Sequence, residues 1–289
     1  MQGPEARKRT VQGELECALL KVAKGADRRQ LSLCASSRTD AGVHAISQIV
    51  KFNLPDNTKT STSCSPEELM RTLNCLLSAD VRVLAMTLCP IDFRPSATLS
   101  KTYHYMVHVG SCVPPYIRHF RLHLTPPRRE DGGTEQEPEA GGDAVLRRSL
   151  PFFDEMVLAA GCFEGTHDFT SFTNKADEQI REGRSMMRTV TRCEVVLTSY
   201  GFRVEIEGRG FLYKMCRNIV GTLLHVGIGK LPGDAATTIR ELMASRDRSL
   251  APPAAAPHGL HLVNVSYAGR DFAAEIEASI RECDSALPG

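Results

Sequence analysis

The stretch GRGFLYKMCRNIVGTLLHVGIGK, residues 208–230, decides the fold of this 289-residue chain, because it predicts a long helix over residues 211–226. At helical spacing its apolar residues form one broad face: Phe211, Leu212, Met215, Cys216, Ile219, Val220, Leu223 and Val226. The opposite side carries Lys214, Arg217, Asn218, Gly221 and His225. Gly221 costs about 1 kcal/mol of helix propensity relative to alanine, which a second backbone passing close beside Arg217 would explain. A solvated basic face with an incidental glycine is the alternative interpretation.

Working outward from this helix, strands and helices of ordinary length alternate along the chain, which predicts an α+β fold. Thr10 and Ser65 have the positions of helix N-caps, the second within a capping box that includes Pro66 and Glu68. Further helices are predicted over residues 152–163 and 234–244. Strands are predicted over residues 31–35, 48–52, 81–86, 101–109, 189–197, 202–207 and 260–265, and the segment 100–109 alternates as a half-buried strand does.

A change in composition divides the chain into four parts. Residues 126–143 are rich in Pro, Gly and Glu, which predicts a disordered surface loop between two halves. The expected organisation is an N-terminal half over residues 1–125, an acidic insertion over 126–143, a C-terminal half over 144–270 and an acidic tail over 271–289.

Net charge and residue usage bound the class of protein. The chain carries +1 overall, but residues 130–143 carry −6 and residues 271–289 carry −4, so the remainder carries +11. A basic body is compatible with a polyanionic partner. The longest apolar runs of the chain are too short to predict a membrane-spanning helix. The ten cysteines are at least eleven residues apart, which argues against a zinc site and a disulfide scaffold and favours a reducing compartment.

Two further segments combine polar turns or strands with reactive side chains. SSRTDAGVHA, residues 36–45, places Asp40 on a turn between strand-like runs. SKTYHYMVHV, residues 100–109, places Tyr103 and Tyr105 on one face of a strand. Taken alone, an Asp-Ala-Gly turn and core tyrosines are common structural features. A carboxylate aimed into a cleft and a tyrosine able to stack on a base are the functional alternatives.

Six stretches together resemble the TruA-type tRNA pseudouridine synthases over residues 10–267, in the order and approximate spacing of that family. They are TVQGELECAL, SSRTDAGVHA, RPSATLSKTYHY, GTHDFTSF, GRGFLYKMCRNIVGTLLHVGIGK and APHGLHLVNVSY. The resemblance implies isomerisation of uridine to pseudouridine in tRNA, with no cofactor and no metal.

The resemblance also assigns site residues. It places the nucleophile at Asp40, a paired cation at Arg217, and at Tyr103 a residue that packs on the target base and serves in proton transfer. Arg38, with Tyr103, is expected to bind the flipped nucleotide. Candidate backbone contacts to RNA are Arg181, Arg184, Arg188 and Arg192. His44 and His167 are interpreted as structural residues.

The family fold implied is two ferredoxin-like halves whose antiparallel sheets join around a central active-site cleft. Only nine residues precede Thr10 and the chain has no Trp, so the first N-terminal strand is expected to be missing, with an exposed sheet edge as a consequence. The resemblance further suggests a homodimer and uridines 38–40 of the anticodon stem-loop as targets. The default compartment is the cytoplasm, and an incomplete N-terminus would allow a mitochondrial or plastid location.

Two alternative functions remain at this point. The missing strand motivates a non-catalytic RNA-binding protein or an inactive, N-terminally truncated family member. An aspartate-based glycoside hydrolase would need a second carboxylate opposite Asp40, and the family resemblance assigns no such partner.

Overall fold

The computed structural model describes residues 9–24, 26–55, 64–127, 142–174, 176–231 and 233–269. The helices are α1 (Val11–Val22), α2 (Arg28–Leu31), α3 (Pro66–Leu76), α4 (Gly142–Ser149), α5 (Phe153–Ala160), α6 (Ala176–Arg181), α7 (Met215–Gly227) and α8 (Ala235–Ser245). The strands are β1 (Cys34–Ala35), β2 (His44–Ala45), β3 (Val50–Lys51), β4 (Ser100–Val109), β5 (Leu122–Leu124), β6 (Gly165–Asp168), β7 (Met187–Thr198), β8 (Gly201–Gly208) and β9 (Leu260–Ser266). This mixture of helices with antiparallel and parallel strand pairs confirms the α+β class.

Two compact units divide the chain. The smaller takes the described residues of 1–38, 47–98 and 266–289, and the larger those of 39–46 and 99–265. This division does not coincide with the boundary expected at 126–143. The reason is strand pairing, because β4 is hydrogen-bonded to β8 from Lys101 to His108, so residues after 99 fold with the later part of the chain. The expected acidic insertion falls largely on residues 128–141 and the tail on 271–289, both outside the described residues.

Helix caps define the smaller unit much as the sequence predicts. The Thr10 side chain accepts a hydrogen bond from the Gly13 backbone at the start of α1. Ser65 and Glu68 form the capping box of α3, with Pro66 in the first turn. The apolar faces of these helices share one core of seven buried residues: Leu15, Ala18, Leu19, Leu31, Leu69, Leu73 and Leu77. Local capping and periodicity therefore suffice to locate both helices.

Three strands predicted in this unit are shortened or absent, and of residues 48–52 only Val50–Lys51 form a strand. Residues 31–35 form only the two-residue strand β1, because an Asp27 capping box starts a helix that runs to Leu31 and Ser32 then takes a left-handed conformation. Residues 81–86 form no strand, although five of the six are apolar. The backbone N–H and C=O of Val83 are both hydrogen-bonded to the Asn74 side chain, which replaces a neighbouring strand.

A seven-stranded sheet forms the centre of the larger unit. Its order is β2-β9-β4-β8-β7-β6, with β5 parallel to the end of β4. The predicted hairpin is present as β7 and β8, turning at Ser199 and Tyr200. One face of β8, formed by Phe202, Val204 and Ile206, is fully buried. The helices α5, α7 and α8 pack together, and α5 also packs on β7, so the core of this unit lies between helices and sheet.

Helix α7 is buried almost all round, which corrects the interpretation of a solvated basic face. Asn218 on its supposed polar side is fully buried, and Arg217 is only 9% exposed. The Asn218 amide donates to the Phe172 carbonyl oxygen at 2.6 Å and to Asn174 at 3.1 Å. The polar side of the helix is therefore satisfied by protein groups rather than by solvent.

The opposite face of the sheet carries a network of ion pairs. Glu205, 5% exposed, accepts hydrogen bonds from Arg192 and Arg203. Arg192 also pairs with Glu194 at 2.6 Å and with Glu207 at 3.5 Å. Because its charge is balanced by three glutamates, Arg192 is a poor candidate for the phosphate contact predicted from the sequence.

His261 gives the larger unit a pH-dependent stability. Burial lowers the pKa of this imidazole to about 4, with help from the nearby His44, His104 and Arg121. In the unfolded chain the His261 imidazole becomes protonated near pH 6.5, whereas in the native protein it stays neutral until about pH 4. The free energy of unfolding should therefore fall by up to about 3 kcal/mol as the pH drops from 6.5 to 4. Measured by urea unfolding, the free energy of unfolding of His261→Asn should fall less over this pH range than that of the wild-type protein. His258→Asn is the control, and an unchanged pH dependence in His261→Asn would contradict the assignment.

Other searches of the described residues were negative. No helix there is both long and apolar enough to cross a membrane. No group of three or more His, Cys, Asp or Glu side chains there is placed to hold a metal ion. Nine of the ten cysteines lie in this part of the chain, and all nine are free thiols.

Candidate active site

The centre of the candidate site is an ion pair between Asp40 and Arg217, which are 177 residues apart in sequence. Arg217 Nη1 donates to Asp40 Oδ2 at 2.8 Å. The Asp40 side chain is 22% exposed and the Arg217 side chain 11%. The guanidinium is thus held inside the protein, while the Asp40 side chain keeps partial contact with solvent. The structure brings together two of the three residues predicted to be catalytic.

A tight turn presents Asp40 at the edge of the large sheet. The Val43 backbone N–H donates to the Asp40 carbonyl oxygen at 3.1 Å, and β2 follows at once, parallel to β9. Gly42 has a φ of +80°, and a Cβ there would lie 3.1 Å from the Pro257 ring. Glycine meets both the left-handed backbone and the close contact. The Asp-Ala-Gly sequence therefore sets the geometry of the loop that carries the carboxylate.

Arg217 is fixed through the loop formed by residues 251–257. Its Nε donates to the Ala255 carbonyl oxygen at 2.8 Å, and the Ala255 N–H donates back to the Arg217 carbonyl oxygen at 2.9 Å. This approach requires Gly221, because a Cβ at that position would lie 2.1 Å from the Pro253 carbonyl oxygen. The structure thus confirms that Gly221 permits a second backbone to pass beside Arg217.

Arg248 ties the same loop to helix α7. It donates to the carbonyl oxygens of Ala251 at 2.7 Å and Pro252 at 2.9 Å, and to Asn218 Oδ1 at 3.0 Å. From the sheet side, the Tyr105 hydroxyl donates to the Ala256 carbonyl oxygen at 2.8 Å. Burial raises the pKa of this fully buried tyrosine above its usual range, although the Arg217 charge opposes the shift. Sequence reasoning missed Arg248, which only the fold brings beside the loop.

Tyr103 lies two residues before Tyr105 on β4 and therefore on the same face of the sheet. It is 8% exposed, and its ring meets Phe211 edge-on at 5.3 Å between centroids. Phe211 comes four residues before the start of α7, so this ring belongs to the surroundings of the Arg217 helix. A role in base packing remains a prediction.

The other predicted contact residues fall in different settings. Arg38 belongs to the smaller unit and is exposed. Arg184 pairs with Glu182 at 2.9 Å. Arg188 donates to the Ser185 carbonyl oxygen, and burial lowers its pKa. The side chain of Arg181 lies outside the described residues. None of these positions is ranked above the others by its geometry.

The two histidines interpreted as structural have backbone partners. The His44 ring stacks on His261 at 4.9 Å between centroids, and its Nε2 is 2.9 Å from the His119 carbonyl oxygen. His167 Nε2 is 2.7 Å from the Glu164 carbonyl oxygen. Both contacts anchor loops, as the structural interpretation requires.

Comparisons with known proteins identify the family of the chain. A family model described as tRNA pseudouridine synthase matches residues 159–268, which include α7 and β9. The tRNA pseudouridine synthase A of Chlamydia muridarum is 34% identical over 89% of this chain and 83% of its own length. The protein tRNA pseudouridine synthase A 1 of Protochlamydia amoebophila is 34% identical over 88% and 84%.

A third relative, the tRNA pseudouridine synthase A of Streptococcus pneumoniae strain P1031, is 31% identical over 91% of both chains. Identity at this level over most of the length of each protein extends well beyond the ion pair and its loops. The chain therefore belongs to the tRNA pseudouridine synthase A family.

Proposed function

We propose that this protein isomerises uridine to pseudouridine in tRNA, with the Asp40 carboxylate as the nucleophile. The observation that carries the proposal is the Asp40–Arg217 ion pair, formed between two motifs far apart in sequence. An inert family member would be under no requirement to keep a charged pair that is largely withdrawn from water, because burying charges costs free energy. The intact pair favours an enzyme over a non-catalytic RNA-binding protein.

The proposed reaction balances without any oxidant or reductant. An Asp40 oxygen attacks C1′ of the target nucleotide, and the N1–C1′ bond breaks with its electron pair left on N1. The uracil turns, its C5 attacks C1′, and the Asp40 carboxylate leaves. Loss of the C5 proton and protonation of N1 give pseudouridine, an isomer of the starting uridine. Arg217 orients the attacking carboxylate and balances its charge.

Tyr103 and Arg38 complete the proposed site. Tyr103 would pack against the target base and serve in the proton transfer at C5, which its place on the Tyr105 face of β4 supports. Arg38, exposed two residues before Asp40, would hold the extruded nucleotide. Extrusion costs a few kcal/mol and costs least where the base is already unpaired.

Because an unpaired base costs least to extrude, loops of the tRNA are favoured targets. We propose that the protein acts as a homodimer on uridines 38–40 of the anticodon stem-loop.

For the fold, we propose that the larger unit contains one ferredoxin-like half. Its antiparallel core of β4, β8 and β7, packed with α5 and α7, supports this.

Mapping of pseudouridine in unmodified tRNA transcripts tests the function. Incubation with the protein should create pseudouridine at a small set of positions within the anticodon stem-loop. Folded protein that binds tRNA and forms no pseudouridine would instead support the non-catalytic alternative.

Arg248 offers a sharper test of how the site is built. Arg248→Met should lower kcat about 10- to 100-fold with little change in KM, because displacement of the 251–257 loop misaligns Arg217. In an Arg217→Lys background, whose residue 217 lacks the Nε contact to Ala255, the same change should cost less than about threefold in kcat. The double-mutant cycle is measured by single-turnover kinetics, with the exposed Arg240→Met as control. Equal losses in both backgrounds would show that Arg248 does not act through Arg217.

A further inference from the structure

A second surface of the larger unit has the chemistry of a nucleic-acid contact and lies outside the Asp40–Arg217 pair. It is the aromatic platform, defined as Tyr116, Arg118 and Phe120. Tyr116 is 69% exposed and Phe120 is 46% exposed, while Arg118 is also exposed. The segment 110–124 that carries them contains two arginines, two histidines and no acidic residue. Exposed rings interleaved with positive charge are typical of surfaces that bind unpaired nucleotides.

Contacts with neighbouring side chains and two backbone turns hold the rings of the platform in place. Phe120 packs on His44 at 4.8 Å between centroids, and His44 stacks in turn on His261 at 4.9 Å. The Tyr116 hydroxyl interacts electrostatically with the side chain of Tyr200, whose ring lies 5.3 Å from the Arg121 guanidinium. Two backbone turns, Pro114 to Ile117 and Ile117 to Phe120, fix the segment. Rings held in place lose little conformational entropy when a base stacks on them.

The platform is connected directly to the loop of the proposed nucleophile. His44, whose ring packs against Phe120, follows Asp40 by four residues. The hydrogen-bonded turn from Asp40 to Val43 limits their Cα separation to about 7 Å, and His44 is one residue further, about 3.8 Å. His44 Nε2 also contacts the His119 carbonyl oxygen at 2.9 Å. A nucleotide bound at the platform would therefore be a near neighbour of the target uridine.

We propose that the aromatic platform binds unpaired nucleotides flanking the target uridine, by base stacking on Phe120 and Tyr116 and by a phosphate contact from Arg118. This inference rests on the proposed function for its choice of RNA. The charge pattern supports it, since a phosphate meets no carboxylate within the segment and the guanidinium of Arg118 keeps N–H groups beyond the Nε that bonds His119.

The test measures tRNA binding and chemistry separately, with unmodified tRNA transcript as the probe. Phe120→Leu and Tyr116→Leu should each raise the Kd for tRNA about 5- to 100-fold, the range expected for loss of one base stack. The single-turnover rate constant at saturating protein should change less than about twofold. Arg118→Gln should weaken binding and reduce the slope of log Kd against log salt by about one. Phe152→Leu, which changes a ring 44% exposed elsewhere in the unit, is the matched control.

A series of tRNAs with single abasic sites locates the stacked base. Removal of that base should weaken binding to the wild-type protein and leave binding to Phe120→Leu unchanged. Folded Phe120→Leu and Tyr116→Leu proteins that bind tRNA with the wild-type Kd would overturn the proposal. If these variants also had a changed sedimentation coefficient, the surface would be a contact with a protein partner. Kd is read without catalysis, so weakened binding in the variants supports the platform even if the wild-type protein forms no pseudouridine.

Discussion

Asp40→Asn is expected to reduce pseudouridine formation by about 10⁴-fold or more, the scale of loss seen when a covalent nucleophile is removed. The amide has nearly the shape of the carboxylate and can still accept a hydrogen bond from Arg217 Nη1, so the loop should keep its geometry. It lacks the negative charge needed to attack C1′. Binding of tRNA should change less than about threefold, because phosphate contacts dominate RNA affinity.

The measurement is pseudouridine mapping on tRNA transcripts beside a direct binding assay. Asp154→Asn is a matched control, because Asp154 also pairs with an arginine, Arg147 at 2.7 Å, but on the exposed surface. That variant should be fully active. An Asp40→Asn protein that modified tRNA at a rate near the wild type would exclude Asp40 as the nucleophile.

Gly221→Ala is expected to have the largest effect on stability. In an open helix, replacing glycine with alanine stabilises by about 1 kcal/mol. Here the new Cβ would lie 2.1 Å from the Pro253 carbonyl oxygen and 3.2 Å from the Ala255 nitrogen, so the buried loop must move. We expect a loss of about 2–4 kcal/mol in unfolding free energy, typical of overpacking a buried site.

Activity should fall together with stability in Gly221→Ala. The displaced loop includes Ala255, whose carbonyl oxygen fixes Arg217, so kcat should decrease at least about tenfold in protein that is still folded. Gly161→Ala is the control, because its Cβ would meet no atom within 4 Å. Urea unfolding and single-turnover kinetics on both variants make the comparison. A Gly221→Ala protein as stable and active as Gly161→Ala would mean that the loop does not hold Arg217.

Local signals located most elements of the fold. The caps at Thr10 and Ser65 start helices where the sequence predicts them, since a cap bonds to backbone groups two or three residues away. The helix predicted over residues 234–244 is present as α8 and has Asp234 as its N-cap. The hairpin of β7 and β8 is equally local. The strand predicted over residues 81–86 is absent, because an apolar run shows only that a segment could pair with a strand. The Asn74 side chain instead hydrogen-bonds the backbone N–H and C=O of Val83.

By itself the sequence determined the α+β class, the family resemblance and the candidates Asp40, Tyr103 and Arg217. It also indicated, through Gly221, that a backbone would pass beside Arg217. Only the tertiary structure decided which backbone this is, that Arg248 secures it, and that the polar side of α7 is buried. The physical reason is range. Caps and periodicity act within a few residues, whereas the Asp40–Arg217 pair joins residues 177 positions apart and depends on the pairing of β2 with β9 and on the packing of the 251–257 loop against α7.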